Sequence, residues 1–239
     1  MVRILFPFLS QGIQLSSLTH SIGNAEGLGE TRKKELAKSG VILGLRKPED
    51  VLVIDRPDQF PDSMTETWDS QQIAALLRTA FVPEQPRSHS LSDSSASVVS
   101  VDVLITFDAG GVSSHPNHIS LYHGARAFVD SLISGKPGWS PPVDLYTLTT
   151  ISLLRKYAAF LDLPATLLSW ALSAEKKDKE HPGRLVFLNG LAGHGGVMTA
   201  WKAMTSAHKS QMVWFRYGWI TLSRYMYIND LRLVKSRGQ

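Results

Sequence analysis

Val101 to Phe107 (VDVLITF) is a short run rich in apolar and β-branched residues, a pattern that predicts a buried strand. A loop containing Gly110 and Gly111 follows, then His115-Pro116-Asn117-His118, then an amphipathic helical pattern from Ile119 to about Ile133. The same alternation runs through the chain. A helix is predicted from Glu30 to about Ile42, ended by Gly44, and a strand at Val51 to Asp55. A helix follows from Asp69 to Phe81, with Asp69 as its N-cap, and an extended stretch lies at Val143 to Thr149. Ile151 to Trp170 reads as a long helical region broken near Pro164, and Leu185 to Leu188 as a last strand. From Val197 the pattern is helical almost to the end. Strands alternating with helices predict an α/β domain with three layers and a mostly parallel sheet. Polar stretches at 83–100 and 174–184 read as insertions, and no internal repeat is present.

Composition narrows the function classes. The chain has 239 residues, no cysteine and a net charge of +4. That length accommodates one α/β domain with a substantial core. Without cysteine, disulfides and thiolate metal sites are excluded, so any zinc must be held by His, Asp or Glu. The mild positive charge suits anionic lipid or phosphate, and no aromatic-rich basic motif points to nucleic acid. No apolar run reaches the roughly 18 residues of a membrane-spanning helix. Residues 2–18 are apolar, but Gln11, Gly12 and Gln14 interrupt them and no small-residue cleavage signature follows, so they do not read as a signal peptide.

The candidate chemistry sits after the Val101 strand. Pro116 suits the first turn of a helix, where its missing N–H costs nothing. His115 and His118 are three residues apart, so both can face one side of that turn. The carboxyl end of a strand is where open α/β sheets bind ligands. Asp108 lies at that strand end, placed to orient a histidine. Taken alone, two histidines at a helix start also read as a cap and a surface residue, Arg32 as a solvated helix residue and Asp62 as a turn residue after Pro61. His20, His89, His123, His181, His194 and His208 read as structural or surface residues. Gln211 to Tyr227 (QMVWFRYGWITLSRYMY) interleaves aromatic residues with Arg216 and Arg224. Its simplest reading is a helix packing its aromatics into the core; the other is an interfacial helix on lipid headgroups.

Several segments in this order carry a family resemblance: GNAEGLGETRKKEL (23–36), FPDSM with TWD (60–69), VLITFDAGGVSSHPNH (103–118), LLRKY with LDLP (153–164), and HKSQMVWFR with SRYM (208–226). Together they closely resemble the N-acetylglucosaminyl-phosphatidylinositol de-N-acetylase (PIG-L) family of the LmbE-like superfamily, over roughly Ser21 to Leu231. The resemblance implies a three-layer Rossmann-like LmbE/PIG-L fold. It implies zinc-dependent removal of acetate from a GlcNAc-inositol lipid in glycosylphosphatidylinositol (GPI) anchor synthesis, at the cytoplasmic face of the endoplasmic reticulum membrane. By resemblance His118 is the zinc ligand and His115 the residue that stabilises the oxyanion or protonates the leaving amine. Arg32 and Asp62 then bind substrate, and Asp108 joins His115 as a catalytic residue, placed to orient a histidine. The implied partners are the GlcNAc-phosphatidylinositol glycolipid and a membrane surface.

One departure changes the expectation. The family's first motif, His-Pro-Asp-Asp-Glu, supplies a histidine and an aspartate to zinc and a second aspartate as general base. Residues 1–25 contain no Asp or Glu, and the only other His-Pro pair is His181-Pro182. Two of three expected zinc ligands and the base are therefore missing. Residues 1–20 are set apart as an atypical or truncated N-terminus, with the first strand–helix unit missing or replaced, and 21–239 form the deacetylase domain. Residues 4–18 are the candidate substitute for the opening strand. The alternative function is a catalytically inactive scaffold that binds lipid or protein. A dinucleotide-binding oxidoreductase fits poorly, because Gly23 to Gly29 lacks the GxGxxG spacing.

Overall fold

The computed structural model describes residues 17–19, 28–54, 56–83, 99–173, 181–191 and 195–235. The bodies of both polar insertions, most of the early glycine-rich loop, Asp55, His20, His89 and His194 lie outside the described residues. The chain forms two compact units. The first comprises Met1–Asp62, Ile151–Ser173 and Val186–Asn229; the second comprises Ser63–Thr150, Ala174–Leu185 and Asp230–Gln239.

In the second unit β3 (Val103–Phe107) pairs in parallel with β4 (Asp144–Leu148), in a register that sets Phe107 opposite Leu148. β4 pairs antiparallel with β6 (Ile228–Leu233), Tyr146 facing Leu233. The sheet order is β3-β4-β6-β5, with β5 at Arg184–Leu188. The sheet is therefore mixed: the parallel pairing expected of most of it holds between β3 and β4, and β4 and β6 run antiparallel. β4 is the most enclosed strand, buried from Leu145 to Leu148. β3 is the edge, and its Val103 and Ile105 are exposed.

Two helices flank β3 in sequence. α2 (Ser70–Phe81) begins as its sequence predicts: the Asp69 carboxylate accepts from the backbone N–H groups of Gln71 at 2.6 Å and Gln72 at 3.0 Å. Its buried Ile73, Ala74 and Leu77 form one stripe. α4 (Pro116–Leu132) buries Ser120, Gly124, Ala125, Phe128, Val129 and Leu132 at helical spacing. The Trp68 backbone N–H donates to Ser120 Oγ at 2.9 Å, tying the entry of α2 to α4.

β6 was not foreseen, because Ile228 to Leu231 is buried throughout and does not alternate. Asn229 and Asp230 are polar yet inside. Asn229 Nδ2 donates to the Tyr225 carbonyl, and Asp230 receives a two-pronged hydrogen bond from Arg184 at 2.8 and 2.7 Å. Buried partners, invisible to periodicity, make the strand possible.

In the first unit β1 (Ser17–Thr19) pairs in parallel with β2 (Val51–Val53). Between them α1 (Gly29–Ile42) ends in a Schellman motif at the expected glycine. Gly44 takes a positive φ of 110°, its N–H donates to Val41 O, and the Leu45 N–H donates to Gly40 O.

Residues 151–173 form α5 (Leu153–Lys156), a 3₁₀ turn (Ala159–Asp162) and α6 (Leu163–Ala171). The break precedes Pro164, which sits in the first turn of α6, where a proline starts a helix instead of ending one. Asp162 holds these pieces together. Its carboxylate accepts from Arg155 Nε at 2.6 Å and from the Thr166 hydroxyl at 2.8 Å, and Arg224 Nε lies 3.0 Å away. Arg224 is 1% exposed. After β2 the chain passes Arg56 to Asp62, and the C-terminal region contributes α7 (Val197–Lys202) and α8 (Trp214–Leu222). No helix among the described residues is long and apolar enough to cross a membrane.

Burial alone raises the Asp162 carboxyl, but the hydrogen bonds from Arg155 and Thr166 and the charges of Arg224 and Arg155 outweigh it and hold it below the usual carboxylate range. A depressed folded-state value stabilises the fold above the unfolded value and loses that contribution as pH falls through the folded one. Asp162→Asn removes the negative charge facing the buried Arg224 guanidinium and is expected to cost about 3–5 kcal/mol near neutral pH. Urea unfolding should show the gap between variant and parent shrinking as pH falls below the ordinary carboxylate value of 3.8; a gap that does not change with pH would contradict the assignment.

Candidate functional site

The loop from Asp108 to His118 joins β3 to α4 in the second unit. β3 and β4 run in parallel and end together at Phe107 and Leu148, so the residues just beyond both ends can meet. Asp108 and Thr150 do so. Asp108 Oδ2 accepts the Thr150 backbone N–H at 2.6 Å, and Oδ1 accepts the Gly110 N–H at 3.0 Å together with the Thr150 hydroxyl. Thr150 Oγ1 in turn accepts the Val112 N–H at 2.9 Å. A side chain at 110 would not fit: a Cβ there would lie 2.7 Å from Thr150 Oγ1.

This clamp holds unusual backbone. α3 (Gly111–Ser114) is a single distorted turn in which Val112 has φ 63° and Ser114 φ 57°. A positive φ at a buried β-branched residue costs on the order of 1–3 kcal/mol and persists only where its surroundings impose it.

α3 delivers the two histidines. His115 is the N-cap of α4, and its Nδ1 accepts the Asn117 N–H at 3.2 Å. A backbone N–H only donates, so His115 Nδ1 carries the lone pair and the neutral ring carries its proton on Nε2. His118, buried, places Nδ1 3.0 Å from the Gly111 carbonyl. A carbonyl only accepts, so Nδ1 is the protonated nitrogen and Nε2 the atom through which this ring accepts or coordinates. The two rings stack at 4.9 Å between centroids, and Phe107 stacks on His118 at 4.0 Å. Two neighbouring imidazoles thus hold opposite tautomers, one a donor and one an acceptor at Nε2.

Asp108 has a different place from the one expected. Its oxygens serve the loop, and His118 is oriented by the Gly111 carbonyl, so Asp108 acts on the histidines by fixing the backbone between them. Arg32, half-buried on α1, and Asp62, exposed after Pro61, belong to the first unit. Thr150, Phe107 and the Gly111 carbonyl were not singled out in the sequence. The signal for Thr150 was its position just past a strand predicted to lie beside the Val101 strand.

The metal implied by the resemblance can be tested on this geometry. A catalytic zinc takes three protein ligands. Among the described residues no three His, Asp or Glu side chains are grouped to hold a metal ion. His118 offers one ligand atom, while His115 Nε2 carries a proton. The described donor set does not fit zinc.

A family model described as PIG-L: GlcNAc-PI de-N-acetylase matches residues 4–129. The chain belongs to that family. The PIG-L match includes the Asp108–His118 loop and reaches into residues 4–20, which the sequence reading set apart. The N-acetylglucosaminyl-phosphatidylinositol de-N-acetylase of Arthroderma benhamiae is 46% identical over 233 residues, 88% of this chain and 68% of the relative. The probable enzyme of the same name from Schizosaccharomyces pombe is 34% identical, over 92% of this chain and 77% of its own. That of Saccharomyces cerevisiae is 31% identical, over 88% and 67%. PIG-L membership carries with it an LmbE-like α/β fold, with which the mixed sheet and its helices agree.

Removing the clamp should loosen the loop without unfolding the sheet. Asp108→Ala deletes three hydrogen bonds to a carboxylate and is expected to cost about 2–3 kcal/mol. Amide hydrogen exchange should rise at Gly110, Val112 and Thr150 while staying slow in β4. Unchanged exchange at these amides would show that the clamp does not hold the loop.

Proposed function

We propose that this chain hydrolyses the acetamide of N-acetylglucosaminyl-phosphatidylinositol, releasing acetate and the free glucosamine lipid for GPI-anchor synthesis. The observation that carries the reading is the opposed tautomer pair at the end of β3, in a chain of this family. Amide hydrolysis adds water to the carbonyl, places negative charge on its oxygen, then breaks the C–N bond with a proton delivered to nitrogen. His115 Nε2–H is suited to donate a hydrogen bond to that oxygen as its charge develops. Phe107 and the α3 turn keep His118 from rotating, and a positioned ring loses little freedom when substrate arrives. The three hydrogen bonds to Asp108 make it a poor candidate for accepting the proton of water.

Arg32 and Asp62 are the substrate-binding residues in this reading. A guanidinium fork matches phosphate oxygens, and a carboxylate accepts from sugar hydroxyls. The substrate is a membrane lipid, so the reaction belongs at a membrane surface, the cytoplasmic face of the endoplasmic reticulum. Zinc, which the family resemblance implies, would find one described ligand atom in His118 Nε2, and when bound would supply an activated water. The second reading, a lipid- or protein-binding scaffold, is favoured by the same described donor set, which offers a metal one ligand atom.

The deciding assay measures acetate release from GlcNAc-phosphatidylinositol by the purified chain with zinc supplied. Turnover is expected, falling by about 10²–10³ in His115→Ala, the loss typical of an oxyanion donor. A folded chain that binds the lipid but releases no acetate would overturn the enzymatic reading in favour of the scaffold.

A further inference from the structure

The aromatic stretch near the C-terminus divides: Tyr225 and Met226 pack inward, and the helix α8 does not. Of α8 only Ile220 is buried, with Arg216 half-buried through the hydrogen bond it donates to the Gln211 carbonyl. Trp214 is 85% exposed and Trp219 54%, and Leu222 stands in solvent on the same helix. Trp214, Phe215 and Trp219 form a continuous chain of ring contacts at 5.8 and 5.0 Å. The segment 151–173 of the same unit is equally open, with Leu154 85%, Leu161 71% and Leu172 74% exposed. The two regions are fastened together. Asp162 is bridged to Arg155 on one side and to Arg224, just beyond α8, on the other, and Phe160 meets the Tyr227 ring at 6.2 Å. Soluble surfaces rarely leave so many large apolar side chains together without a partner.

Charge indicates which partner. Residues 186–229 contain no Asp or Glu, and beside the buried Arg224 they include the exposed Lys202 and Lys209 and the half-buried Arg216. In 151–173 the one carboxylate is Asp162, which is buried and paired. The exposed charges of this region are therefore positive. A surface of one sign repels a copy of itself and attracts an anionic one. Trp and Tyr beside Arg and Lys, on short helices too small to span a bilayer, are the side chains that settle at a headgroup boundary.

We propose that α8 and the α5–α6 segment of the first unit form a docking face for a bilayer carrying anionic headgroups, with Trp214, Trp219 and Leu161 entering the acyl boundary. Docking and reaction are tested separately. Vesicles lacking any acetylated headgroup test it alone, and turnover of a water-soluble GlcNAc-inositol phosphate tests the chemistry alone, so either can fail without the other.

The experiment sediments the full chain with vesicles of phosphatidylcholine, with and without phosphatidylinositol, at physiological salt. Binding is expected only with phosphatidylinositol present, with a blue shift of tryptophan emission. The partition coefficient should fall roughly tenfold or more in Trp214→Ala/Trp219→Ala, because binding scales with the apolar area inserted. Leu154→Ser/Leu161→Ser, which leaves α8 intact, should weaken binding as well and serves if the first variant misfolds. The proposal is overturned if the intact chain stays in the supernatant with phosphatidylinositol vesicles, or if folded variants bind as the parent does. It is also overturned if the chain forms a dimer that these substitutions dissolve.

Discussion

The Asp108 carboxylate, set between the ends of two parallel strands, is the constraint on which the site depends. Its hydrogen bonds to Gly110 and Thr150 close the loop after β3 onto the end of β4, and Thr150 passes the restraint to Val112. Val112 would not hold a positive φ without such partners. The turn it makes aims the Gly111 carbonyl at His118 and leaves His115 at the mouth of α4, where its ring caps the helix. A carboxylate whose oxygens are engaged by the loop thus decides which nitrogen of each imidazole carries a proton. Charge-assisted hydrogen bonds suit this task, being shorter and stronger than neutral ones and costly to break once buried.

Much of this was legible along the chain, for local reasons. Asp69 before an apolar stripe, Gly44 after one, and His-Pro at the start of another are signals carried by single residues. The structure bears them out as a cap, a Schellman motif and a helix start. The His115–His118 spacing placed both rings on one turn. What could not be read depended on partners distant in sequence. β6 contains buried Asn229 and Asp230, tolerated because Tyr225 and Arg184 satisfy them, so its pattern suggested neither strand nor alternation. Thr150 matters only through Asp108, forty-two positions away. Periodicity also misjudged Trp214 and Trp219. A helix rich in aromatics is ordinarily inward-facing, and nothing local distinguishes one whose apolar side is turned to solvent.

Charge is distributed on a consistent principle. Carboxylates inside the molecule are paired or serve as acceptors: Asp108 in the loop, Asp162 with Arg155 and Arg224, and Asp230 with Arg184. Outside, around α8 and α5–α6, the exposed charges are cationic beside apolar side chains. Buried ion pairs contribute more to specifying a single arrangement than to net stability, and here they organise irregular segments that lack long helices or strands. The result suits an enzyme family whose named substrate is a lipid with a phosphorylated headgroup. One region holds a polar site at a strand end, and another presents side chains compatible with a headgroup boundary.

The account rests on the tautomers of His115 and His118, which nitrogen-resolved NMR of the imidazole rings reads directly. Long-range proton–nitrogen spectra of the folded chain at neutral pH should show His118 protonated on Nδ1 and His115 protonated on Nε2. The opposite tautomer on either ring would mean that the Gly111 carbonyl and the Asn117 amide do not set the site, and the donor–acceptor pairing derived from them would fall.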